Sequence, residues 1–165
     1  MPHPSPLPPS VAASRPVFFP FEPPQGPIFG EKQAFSPEVA SILSIFRAIS
    51  AIPRPSRKEA AVREAIASWA EARGWRTAVD ETGGNLAIDC PATAGCEAAP
   101  LVVLQAHLDM VLAGALDERT PPEPVLSPDG RSLSARGTSL GADDGIGLAL
   151  ALHAMAAPHP QIGRA

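Results

Sequence analysis

Leu101-Val102-Val103-Leu104-Gln105-Ala106-His107-Leu108-Asp109 is the stretch on which the fold turns. Four consecutive apolar residues are too short a run for a helix and fit a central strand buried on both faces, expected here over 101–106. In such an extended chain side chains alternate, so His107 and Asp109 project to one face and Leu108 to the other. An imidazole and a carboxylate then stand together at the carboxyl end of a central strand, where open α/β sheets place their ligand sites.

The flanking segments supply layers around that strand. Ser36-Pro37 reads as a helix cap followed by proline at the first helical position, and Val39, Ile42, Leu43, Phe46 and Ile49 recur at helical spacing, predicting a helix over 37–50. Ile52-Pro53-Arg54-Pro55 stops it. Ser56-Arg57-Lys58-Glu59 has the S-x-x-E form of a capping box and predicts a second helix over 57–73, with Val62, Ala65, Ile66 and Trp69 inward and Gly74 at its end. Trp75 to Val79 and Leu86 to Cys90 read as a hairpin around Asp80-Glu81-Thr82-Gly83-Gly84, and Pro128-Asp129-Gly130 marks another turn. Ile146 to Met155, apolar almost all round, predicts a buried helix. Helices flanking a mixed sheet make an α/β layered domain.

A chain of 165 residues suffices for one ordinary domain and not for two sizeable ones. Its net charge of -4 argues against a nucleic-acid partner, which calls for a basic face. No uninterrupted apolar run reaches the roughly 20 residues of a membrane-spanning helix. Ten of the 21 prolines fall in the first 30 residues, where only Arg15 and Glu22 are charged. Residues 1–35 therefore read as a proline-rich disordered leader, and 36–165 as the folded part. Pro16 and Pro20 cut the patch Val17-Phe18-Phe19, which excludes it as a secretion signal. Cys90 and Cys96 lack the spacing of a zinc knuckle or redox pair and read as reduced thiols of a cytoplasmic protein.

A second place for chemistry is Gly137-Thr138-Ser139-Leu140-Gly141-Ala142-Asp143-Asp144-Gly145-Ile146-Gly147, a glycine-rich loop running into the last helix. It has no lysine to make a P-loop, and Asp143 and Asp144 would repel a phosphate. Two carboxylates entering an apolar helix are costly to bury without a positive partner, for which a metal ion is the economical candidate. Each motif also has a plain reading. H-x-D is common by chance, with Asp109 bonded to a loop, and Asp143 or Asp144 could cap the helix. Together they offer the nitrogen and oxygen donors that zinc accepts.

The sequence Q-A-H-L-D-M-V at 105–111, followed by A-R-G-T-S-L-G-A-D-D-G-I-G at 135–147, resembles the aminoacyl-histidine dipeptidases, also called cytosol non-specific dipeptidases. These are di-zinc metallopeptidases. The resemblance takes in I-P-R-P-S at 52–56, G-G-N-L-A-I at 83–88 and P-A-T-A-G at 91–95, and runs from about Ser36 to about Met155. It implies that His107 is a zinc ligand, that Asp143 is the carboxylate bridging two metals, and that Asp109 orients and polarises His107. It also implies a cis bond between Asp143 and Asp144. The implied substrate is a short peptide, with manganese or cobalt as alternatives to zinc and oligomerisation left open.

The family's Glu-Glu pair, further ligands and lid domain have no counterpart in this sequence. The chain is accordingly read as the amino-terminal part of a di-zinc exopeptidase-like catalytic domain, a truncated fragment inactive by itself. Two alternatives are a non-catalytic binding module or relic, recruiting a partner through a sheet edge, and a related metal-dependent deacylase.

Overall fold

Ser36 begins the first helix as its sequence requires: the side chain accepts from the Val39 N–H, Pro37 occupies the first turn, and α1 runs Pro37–Ser50. The computed structural model describes residues 35–80, 82, 84–115 and 117–156; the expected leader, apart from Phe35, and residues 157–165 lie outside them. Along α1 the inward stripe deepens toward the carboxyl end. Ile45, Phe46 and Ile49 are buried, Ile42 is partly so, and Val39 is exposed.

The second helix, α2, spans Ala60–Glu71 and buries Val62, Ala65, Ile66 and Trp69 as expected. It starts three residues later than predicted, because the capping box does not form. Arg57 sits at φ 71, a left-handed conformation that no helix continues through, and the Glu59 carboxylate accepts from the Arg57 N–H instead. Ser56 is turned to another use, described below. At the far end Gly74, at φ 75, donates to the Glu71 carbonyl and closes the helix. Trp75 then meets Trp69 edge-on at 5.3 Å between ring centroids, joining helix to hairpin.

That hairpin pairs β1 (Arg76–Val79) antiparallel with β2 (Leu86–Asp89), Arg76 opposite Asp89 and Val79 opposite Leu86. A second antiparallel pair, β3 (Pro124–Leu126) and β4 (Leu133–Ala135), turns at Pro128-Asp129-Gly130. The last helix, α3, spans Ala142–Ala156 with a kink at Asp143 and Asp144, and buries Gly145, Leu148, Ala149 and Leu152. Leu150 stays exposed, so α3 is less enclosed than its composition predicts. α1, α2 and α3 share one core through Phe46, Ile49, Ile66, Trp69, Leu148 and Leu152. Ser41 and His153, 2.9 Å apart, link α1 to α3 at its edge.

The α/β class stands, with three helices and two small antiparallel sheets among the described residues, but the central strand is not formed among them. Residues 101–106 form no ladder with any described segment, and Leu101, Val102, Val103 and Leu104 are 60%, 44%, 77% and 45% exposed. Apolar side chains pointing to alternate faces are buried only if layers cover both faces and neighbouring strands bond the edges. Among the described residues β1 and β2 pair only with each other, so 101–104 has neither. Burial begins two residues later, where Ala106 and Leu108 pack against the core and Met110 is 2% exposed.

Candidate functional site

Inward Ala106, Leu108 and Met110 leave His107 and Asp109 on the opposite face, so the alternation holds although the ladder is absent. His107 Nδ1 lies 3.0 Å from Asp109 Oδ1 and 3.1 Å from the Asp109 carbonyl oxygen. Both atoms are acceptors, so in the neutral ring the proton belongs on Nδ1. Nε2 has an acceptor of its own in reach, so it donates when the ring is protonated and offers a lone pair only when the ring is neutral. That nitrogen faces Asp143, whose Oδ1 is 3.1 Å away across 36 residues of sequence. The hydrogen bond to Asp143 is the largest influence raising the His107 pKa above its ordinary value, with the Asp109 carbonyl and carboxylate adding to it and burial opposing.

Three further residues hold these segments in place. Ser56 Oγ donates to Asp109 Oδ2 at 2.5 Å and is the main cause of that carboxyl's lowered pKa, helped by His107. Ser139 bonds the two segments directly: its hydroxyl donates to the Val111 carbonyl at 2.7 Å and accepts from the Ala113 N–H at 3.1 Å. The third tie is Arg54, 0% exposed, whose Nη1 donates to the carbonyls of Leu108 at 2.9 Å and Asp109 at 3.0 Å, while Nη2 donates to Gly141 at 2.6 Å. Burial lowers the Arg54 pKa, partly offset by the Asp109 and Asp144 carboxylates, and the guanidinium keeps its charge.

The two aspartates of the loop separate into different roles. Their peptide bond is cis, and Asp143 leaves the chain with its carboxylate 99% exposed toward His107. Asp144 folds back over α3, where a Cβ at Gly147 would lie 2.0 Å from Asp144 Oδ1. A carboxylate there faces the positive end of the helix, the stabilising arrangement.

His107 thus touches both carboxylates, Asp109 at Nδ1 and Asp143 at Nε2. Arg54, Ser56 and Ser139 were missed as functional residues by sequence reasoning. For Arg54 a signal existed, a lone arginine between two prolines directly after an apolar helix. Ser56 reads locally as a helix cap, and Ser139 carries no signal of its own.

An imidazole nitrogen with a lone pair, an exposed carboxylate oxygen beside it and a second carboxylate behind the ring have the donor chemistry of a divalent-metal site. The pair supplies two donors, and among the described residues no group of three or more His, Cys, Asp or Glu converges. The residues fit part of a metal's coordination, not all of it.

No family model matches this chain. Over 117 residues it is 45% identical to the cytosol non-specific dipeptidase of Escherichia coli (strain K12), a match covering 68% of this chain and 24% of that protein. In fold it resembles the crystal structure of aminoacylhistidine dipeptidase from Vibrio alginolyticus, with a TM-score of 0.73 and 36% identity over 85% of this chain and 28% of that one. No helix among the described residues is long and apolar enough to cross a membrane. In sequence and in fold alike, this chain is a relative of these dipeptidases and spans about a quarter of their length.

Proposed function

We propose that this chain carries part of the metal site of a dipeptidase acting on short peptides in the cytoplasm, with zinc as the metal and manganese or cobalt as alternatives. The observation that carries the proposal is the convergence of His107 Nε2 and Asp143 Oδ1 at 3.1 Å, with Asp109 behind the ring. The identity to a cytosol non-specific dipeptidase supports the substrate class and the compartment.

In this reading His107 and Asp143 would hold the metal, Asp143 as the shared carboxylate, and Asp109 would be the partner that fixes the ring. Asp109 keeps the His107 proton on Nδ1 and so presents Nε2 as a donor. Ser56 holds the second oxygen of Asp109 and stops the carboxylate from rotating away. A bound divalent metal would polarise a peptide carbonyl and lower the pKa of water. The donors beyond this pair belong to the part of the relatives that this chain does not match, so the chain by itself is expected to bind zinc weakly and to lack turnover.

The test is a graft of residues 36–156 in place of the matching stretch of the Escherichia coli relative, assayed for metal content and dipeptide hydrolysis. Hydrolysis by the graft that vanishes together with a zinc ion on Asp143→Ala is the expected result. A graft that hydrolyses dipeptides and keeps its full zinc content with alanine at 143 would overturn the assignment.

A further inference from the structure

The buried guanidinium of Arg54 bonds on both sides of the candidate site. Leu108 and Asp109, held by Nη1, directly follow His107, while Gly141, held by Nη2, stands two residues before Asp143. The Arg54 carbonyl accepts in turn from the Met110 N–H at 2.9 Å, so the 108–110 backbone is gripped from both ends of one residue. Room for the side chain is made by glycines. A Cβ at Gly141 would lie 2.8 Å from Arg54 Nη2, and one at Gly145 would lie 2.6 Å from the same atom. Arg54 shares the space these two glycines leave open with Met110 at Gly141 and with Phe46 at Gly145.

We propose that Arg54 is a positioning residue for the His107 and Asp143 pair: by clamping the 108–109 carbonyls to the Gly141 carbonyl it sets the separation of Nε2 and Oδ1. The inference rests on the metal reading of that pair. Arginine suits the task because its planar fork presents several fixed donors at once, whereas lysine offers a point charge on a flexible stem. A carbonyl released from the fork loses its partner in a part-buried setting, so the backbone on one side shifts to find another.

The test is a zinc titration of the 165-residue chain, followed by the His107 ring resonances, beside a thermal melt of each variant. Asp143→Asn first shows whether the pair binds zinc; unchanged affinity there overturns the metal reading and this inference with it. Given a loss in Asp143→Asn, Arg54→Lys is expected to fold cooperatively and to bind zinc about 10- to 100-fold more weakly, the range for outer partners of metal ligands. Wild-type affinity in a folded Arg54→Lys overturns the positioning role while leaving the metal reading intact. Should the lysine variant not fold, Arg54→Gln decides in the same way, because it keeps a planar amide donor of shorter reach: weakened zinc binding in the folded variant supports the role, and unchanged binding overturns it.

Discussion

Ser56 Oγ donates to Asp109 Oδ2 at 2.5 Å, joining the loop after α1 to the residue that backs the His107 ring. The hydroxyl that local sequence assigns to a helix cap is thus spent on the candidate site. Ser56→Ala should raise the Asp109 pKa toward its ordinary value, since Ser56 is the largest cause of its depression. Helix α2 should be unaffected, as its first residues take no side-chain cap. A carboxyl NMR titration checks the first expectation and far-ultraviolet dichroism the second; a loss of helix of the size expected for a missing cap, about 1 kcal/mol, would contradict the structure.

Asp143 and Asp109 should respond differently to replacement. The Asp143 carboxylate is 99% exposed, so Asp143→Ala should leave the melting temperature unchanged while abolishing measurable zinc binding. Asp109→Asn keeps shape and one acceptor, and should weaken zinc binding by about 10- to 100-fold without abolishing it. Calorimetry on both variants checks the contrast.

The pH dependence follows from the two shifts. His107 has a raised folded-state pKa, so its interaction with Asp143 and Asp109 is complete below the unfolded pKa and lost as pH rises through the folded one. Asp109 has a lowered folded-state pKa, and its contribution is present above the unfolded value and lost as pH falls through the folded one. Zinc competes with the proton on His107 Nε2, so its affinity should rise with pH until His107 is neutral. Asp143→Asn removes the largest cause of the His107 shift and should bring that titration back toward the ordinary value, as read from the ring resonances.

Gly114 is expected to be the least replaceable glycine among the described residues. It has φ 72, and a Cβ there would lie 1.9 Å from the Gly137 carbonyl oxygen, at the isolated bridge between Gly114 and Thr138. Gly114→Ala should cost about 2 kcal/mol or more, from backbone strain and overpacking together. Gly74→Ala, also at positive φ but with nothing within 4 Å, should cost only about 1 kcal/mol. Denaturant melts of the two variants compare them directly.

The exposed run 101–104 should promote self-association. Val103, 77% exposed, contributes no core contact, so Val103→Lys should reduce aggregation while shifting stability by less than about 0.5 kcal/mol. Light scattering beside a melt would show it. A large loss of stability would mean that Val103 is covered in solution.

Local sequence determined the helices, the hairpin turns and the chemistry on offer. α1 keeps its predicted bounds because cap, first-turn proline and apolar period all lie within Ser36 to Ser50, and the alternation that puts His107 and Asp109 on one face is a property of extended backbone alone. What depends on distant partners was decided elsewhere. An apolar run such as 101–104 becomes a buried strand only when neighbouring strands bond its edges and layers cover its faces, conditions absent from its own composition. Ser56 carries the same signal whether it caps a helix or holds Asp109; the choice fell to the carboxylate that tertiary folding brought within reach. Arg54 likewise acquired its role only when three carbonyls and two glycines, remote in sequence, closed around it, because a charge is tolerated in a core only where such partners converge.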